Sequence, residues 1–172
     1  MKKLAKLAAI LVLAAPVTAF ADALPKQVAD MQCLVGHWQG GGSLAMGQDT
    51  AELRAHWTCE RTSARFGVLC TFHVTGIPGV PAYEETDLMG YEPNTNTYHW
   101  YSVTNAGETH DHVAPASGGN RIEFVYDGTQ DGKPFKEVIA LAFEQGSKRL
   151  KGRAETFAAG VSTSVMQLDL HK

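Results

Sequence analysis

The chain has 172 residues, with 15 Lys and Arg against 18 Asp and Glu, a net charge of −3, and three cysteines. Such a length supports one domain with a sizeable core. The acidic balance argues against nucleic acid or an anionic membrane surface as a partner.

Lys2, Lys3 and Lys6 precede an apolar run from Leu7 to Val17, and Ala19-Phe20-Ala21 supplies the small-x-small pattern that signal peptidase reads. Residues 1–21 are therefore expected to be a cleavable secretory signal, and 22–172 a single periplasmic or secreted domain. Removing three Lys and no acid takes the net charge from −3 to −6. The run is too short for a membrane span, and no later segment approaches the roughly 20 continuous apolar residues a span needs. Asp30-Met31-Gln32, ahead of Cys33, are not the small apolar residues that lipoprotein processing prefers.

Leu24 to Cys33 is predicted to form one short helix, with Val28, Met31 and Gln32 near one face. From Trp38 onward the chain reads as strands separated by Gly, Pro and Asn punctuation. Leu53, Ala55, Trp57 and Cys59 alternate with Arg54, His56, Thr58 and Glu60, and Phe66, Val68, Cys70 and Phe72 continue the pattern. Further strands are predicted at 82–91, 97–104, 108–114, 121–128, 135–144, 149–157 and 161–170. Glu85 and Asp87 share a face of the fourth, which reads as a solvated one.

Cys59 and Cys70 sit on the apolar parity of successive strands, with a turn centred near Ala64-Arg65, a register that sets them face to face. In an oxidising compartment they either form a disulfide, worth roughly 3 kcal/mol for a loop of about 12 residues, or remain two buried thiols. Cys33 reads as a small buried hydrophobe.

The connections are short and no crossover helix intervenes, so the strands should be antiparallel neighbours. The expected fold is all-β, a roughly ten-stranded antiparallel up-and-down barrel with a short N-terminal helix. Closure removes exposed edges, and a barrel wider than eight strands leaves an interior that side chains alone do not fill.

The densest chemistry lies between His99 and His112, which holds three of the seven histidines. Residues two apart on a strand share a face, so His110 and His112 point together and Asp111 away. Glu108 reaches their face from the same strand. A two- or four-residue turn would add His99 and Tyr101 to that face. A three-residue Asn105-Ala106-Gly107 turn with a Gly bulge would pair Trp100 with His112 instead and place His99 opposite. The candidate ligand-binding residues are thus His99, Trp100, Tyr101, Glu108, His110 and His112. The candidate metal ligands are His110 and His112, with His99 dependent on the turn, because converging neutral imidazoles are what a tridentate site requires. His37, His56 and His73 read as isolated strand residues, and Trp38 and Trp57 as packing. No nucleophile elbow, phosphate-cradling loop or His-Glu-x-x-His is present.

Gly36-His37-Trp38 at the first strand, Met89-Gly90-Tyr91-Glu92-Pro93 before an aromatic strand, and Asn105-Ala106-Gly107-Glu108 after it together resemble a bacterial family of secreted calycin-like domains of unknown function. That family is similar in turn to nitrobindin-like haem barrels, fatty-acid-binding proteins and lipocalins. The resemblance covers roughly Cys33 to Leu170 and implies a calycin-like barrel with a small apolar guest. Two departures stand out. The last strand, 161–170, lacks the histidine that holds iron in nitrobindin-like proteins, with His171 just beyond it. The nearest arginine to the lipocalin closing position is Arg153, one strand early. The leading functional expectation is a periplasmic or secreted barrel that binds a small apolar molecule. A metal- or haem-dependent enzyme at His110 and His112, and an envelope module with a packed interior, are the alternatives.

Overall fold

A computed structural model describes residues 24–63 and 65–172. The expected signal, 1–21, lies outside the described residues. A short helix α1 (Lys26–Met31) runs into a single 3-10 turn (Gln32–Leu34). Ten strands follow: β1 (Gly36–Met46), β2 (Asp49–Arg61), β3 (Gly67–Thr75), β4 (Tyr83–Glu92), β5 (Thr97–Thr104), β6 (Thr109–Pro115), β7 (Arg121–Gln130), β8 (Lys133–Glu144), β9 (Arg149–Ala158) and β10 (Val161–His171).

Each strand pairs antiparallel with its sequence neighbours, and β1 pairs with β10, from Gln39–His171 to Ala45–Val165, to close the barrel. The all-β barrel with one short N-terminal helix is therefore the fold of this chain. Among the described residues no helix is long and apolar enough to cross a membrane.

Closure requires β1 to lie tightly against both neighbours, and this is why it carries Gly40, Gly41 and Gly42. A Cβ at Gly40 would collide with the Asp169 carbonyl, and one at Gly42 with the Gln167 carbonyl. The seam between β6 and β7 is the sparsest, with Val113 and Val125 as its one bridged pair.

Alternation divides each strand into an inner and an outer face. The inner set includes Leu53, Ala55, Trp57, Val68, Val74, Met89, Trp100, Phe124, Leu141 and Leu150, all less than a tenth exposed. One end of the barrel is stoppered by α1 and the 3-10 turn. Val28, Met31 and Leu34 are buried there, the Trp38 indole donates to the Leu34 carbonyl at 2.6 Å, and the Tyr98 hydroxyl donates to the Gln27 carbonyl at 3.2 Å. Lys172 lies over the Trp38 ring, 4.5 Å from its centroid, and donates to the Cys33 carbonyl.

Cys59 and Cys70 are directly paired between β2 and β3 and joined by a disulfide. Phe66 departs from the expected inward pattern. It precedes β3 in the connecting segment and is more than half exposed.

Candidate functional site

The inner faces enclose a cavity of about 380 Å³, within the range of small-molecule sites. Leu44, Trp57, Phe72, Phe135, Ile139 and Met166 contribute apolar walls. Glu85, Ser102, Glu108, His110 and Glu137 contribute polar ones.

The β5–β6 turn fixes the first group. The Gly107 N–H donates to the Thr104 carbonyl and Gly107 takes a φ of +84°, the left-handed backbone that a glycine supplies without steric cost. The resulting register pairs Trp100 with His112 and Ser102 with His110. Trp100, His110 and His112 therefore face inward, as the three-residue turn requires.

His99 and Tyr101 are placed on the outer wall by the same register. His99 lies opposite Val113 and its Nδ1 is 3.1 Å from the Asp111 carboxylate, while Tyr101 is 47% exposed. His99 therefore cannot converge with His110 and His112 on one ion, and neither it nor Tyr101 reaches the cavity. Glu108 does, and accepts a hydrogen bond from the Gln130 side chain across the β6–β7 seam.

Glu137 on β8 completes the histidine pair. Its Oε2 lies 2.8 Å from His112 Nε2 and 3.5 Å from His110 Nδ1. Burial opposes ionisation of Glu137, but hydrogen bonds from both imidazoles outweigh it and hold the carboxyl down at about 2. The other His112 nitrogen, Nδ1, is 3.4 Å from the Trp100 carbonyl. The His110 ring stacks on Tyr126 at 4.0 Å and 15°, so side chains bridge the seam where the backbone ladder is sparse.

A second polar group lies on β4. Asp87 is fully buried and takes an indole N–H on each oxygen, from Trp57 at 3.0 Å to Oδ2 and from Trp100 at 2.8 Å to Oδ1. The two indoles stack with centroids 5.5 Å apart. Glu85 lines the cavity, hydrogen-bonds Asp87 and accepts from the Tyr83 hydroxyl at 3.0 Å. Burial and the neighbouring Asp87 push Glu85 up to about 9, and burial raises Asp87 as well. Both Asp87 oxygens are already acceptors, so the proton shared by the pair belongs on Glu85.

The expectation that Glu85 and Asp87 occupy a solvated face is thus reversed. Glu85 faces the cavity, and Asp87 lies buried behind it, held by indole donors from β2 and β5. Glu137 also escaped the sequence reading. Its one signal is position, a lone carboxylate on the otherwise apolar inner parity Phe135, Ile139, Leu141 and Phe143.

A haem does not fit these residues. His110 and His112 both turn a ring nitrogen onto the same Glu137 oxygen, at 3.5 and 2.8 Å, which leaves no room between imidazole and carboxylate for a macrocycle, and His171, the histidine of β10, is exposed at the strand end.

Fold and site together define an up-and-down antiparallel β-barrel with a mixed apolar and acidic-imidazole cavity, consistent with a calycin-like fold. No family model matches the chain, and no curated protein matches it in sequence. Among solved structures the chain is similar to Rv2717c from M. tuberculosis, with a TM-score of 0.64 at 14% identity, over 87% of this chain and 99% of that one. At that identity the likeness extends to the fold.

Proposed function

We propose that this protein is a periplasmic or secreted small-molecule-binding barrel whose guest has an apolar body and one polar group. The observation that carries this reading is the cavity of about 380 Å³, apolar along most of its wall and polar at His110, Glu137 and Glu85. An interior of this size is a poor fit to the alternative of a packed structural module, since native cores leave few voids larger than a water. The export pattern of residues 1–21 and the Cys59–Cys70 disulfide, a bond that persists in oxidising compartments, both support the location.

The Ser102 hydroxyl at the cavity wall offers a donor and the Glu137 carboxylate an acceptor, so either a hydroxyl or a carbonyl of the guest finds a partner. Trp57 and Trp100 line the cavity, which makes their fluorescence the direct readout. Titration with a fluorescent apolar probe such as anilinonaphthalene sulfonate, followed by competition with medium-chain fatty acids and alcohols, should quench or shift the tryptophan emission saturably. Native mass spectrometry of the purified protein should show any retained guest. An emission unmoved by every probe, together with an empty mass spectrum, would refute the reading.

A further inference from the structure

We infer that His110, His112 and Glu137 form a divalent transition-metal site that opens into the cavity. Among the described residues these three bring one ligating atom each to within 4.8 Å of the others. A tetrahedral ion with ligand bonds of about 2.0–2.1 Å holds its ligand atoms roughly 3.3–3.4 Å apart. The His110 Nδ1–Glu137 Oε2 separation of 3.5 Å already matches, and the His112 Nε2–Glu137 Oε2 separation of 2.8 Å needs to open by only about half an ångström.

Orientation supports the same conclusion. The His112 side chain is 1% exposed, and its Nδ1 faces the Trp100 carbonyl at 3.4 Å. Metal-binding histidines commonly engage their second nitrogen in this way, which fixes the ring and leaves the other nitrogen aimed at the ion. The Tyr126 ring stacked on His110 holds the second imidazole in place. The three ligands come from two strands, β6 and β8, so the site is assembled by the barrel rather than by a local loop.

Two imidazoles and one carboxylate are a donor set of borderline hardness, suited to Zn²⁺, Co²⁺ or Fe²⁺ rather than Mg²⁺ or Ca²⁺. Three protein ligands are the number found in catalytic zinc sites, where a fourth position stays open. His110 and Glu137 line the cavity, so that position faces it and takes a water or an oxygen or nitrogen donor of the guest. The inference concerns the same cavity as the reading above, yet the ion needs no guest in order to bind.

The test is titration of the chelator-stripped protein with Zn²⁺ by calorimetry and with Co²⁺ by visible absorption. One equivalent is expected, with the d–d bands of low-coordinate Co²⁺. Glu137→Gln and His112→Ala should each weaken binding at least about 100-fold, beyond the 10–100-fold typical of losing an outer-shell partner. His110→Gln, at the cavity wall and 12% exposed, should do the same while leaving the buried His112–Glu137 contact intact, and so covers a failure of the other two to fold. His56 and His73 pair across β2 and β3, so the His56→Ala/His73→Ala double variant is the control and should bind normally. Absence of stoichiometric uptake, unchanged uptake in folded ligand variants, or loss in the control would overturn the inference. An apolar probe is titrated in parallel into the stripped protein. Probe binding without metal uptake refutes the ion alone, and metal uptake without probe binding refutes the apolar cavity reading alone.

Discussion

At the scale of single residues, the cavity is governed by where protons reside. Glu85 and Asp87 lie two apart on one strand face, and the fold tolerates two buried carboxyls there because Trp57 and Trp100 each donate to Asp87 and Glu85 retains a proton. Glu85 titrates near 9 in the folded protein and in the usual carboxyl range when unfolded. Between those values the unfolded chain has lost a proton that the native state keeps, so stability declines as pH rises through that window. Glu85→Gln keeps an N–H donor for Asp87 and removes the titration. Its melting temperature at pH 8 should exceed the parent's by several degrees, since each kcal/mol moves a domain of this size by about 2–4 °C, and the difference should vanish near pH 4. Equal melting curves at both pH values would show that Glu85 is ionised in the fold. None of this chemistry was visible in the sequence, where Glu84-Glu85-Thr86-Asp87 reads as a wet strand because an acidic run ordinarily is one. The partners that make the exception, Trp57 and Trp100, are brought to it only by pairing across four strands, β2 to β5. Glu137 was hidden for the same reason, although a lone carboxylate on an apolar parity was there to be noticed.

At the scale of elements, alternation and turn chemistry carried most of the information. Ten alternating segments became ten strands, and the Cys59–Cys70 pairing followed from counting outward from the turn, because an antiparallel ladder keeps the sum of paired residue numbers constant until a bulge intervenes. The β5–β6 hairpin shows where that arithmetic stops. One residue in the turn decides whether His99 or Trp100 faces His112, and both sequences of pairing were consistent with the pattern; the positive φ at Gly107 resolves it. The disulfide gives a measurable consequence at this scale. It closes a short loop between adjacent strands, so its reduction should cost roughly 3 kcal/mol and lower the melting temperature by about 6–12 °C. Thiol counting in denaturant without reductant should find one free cysteine, Cys33, whose thiol burial pushes up to about 11 and which should therefore react slowly in the folded protein. Three reactive thiols in protein purified without reductant would contradict the pairing.

At the scale of the whole molecule, closure and emptiness have a common origin. Ten strands remove every exposed sheet edge, and the same circumference leaves more interior than the inner side chains fill, so the barrel gives up packing to keep a cavity. Gly152 on β9 shows the compromise at one position. It lines the cavity, and an added Cβ would meet nothing closer than Leu168 Cβ at 3.8 Å and Leu141 Cδ2 at 3.9 Å, ordinary contact distances. The backbone there does not require glycine, unlike that of Gly40 or Gly42, where a carbonyl stands in the way. Gly152→Val should accordingly stabilise the fold, on the order of 1 kcal/mol from burying new methyl groups and from a strand-favouring residue, while weakening apolar probe binding by occupying its space. Gly42→Val should unfold or open the barrel, because it forces β1 away from β10. A rise in melting temperature coupled to a loss of probe affinity at Gly152 is the outcome expected of a cavity kept open for a guest, the usual exchange between stability and function. A stabilised Gly152→Val protein that binds the probe as before would place the guest elsewhere on the barrel.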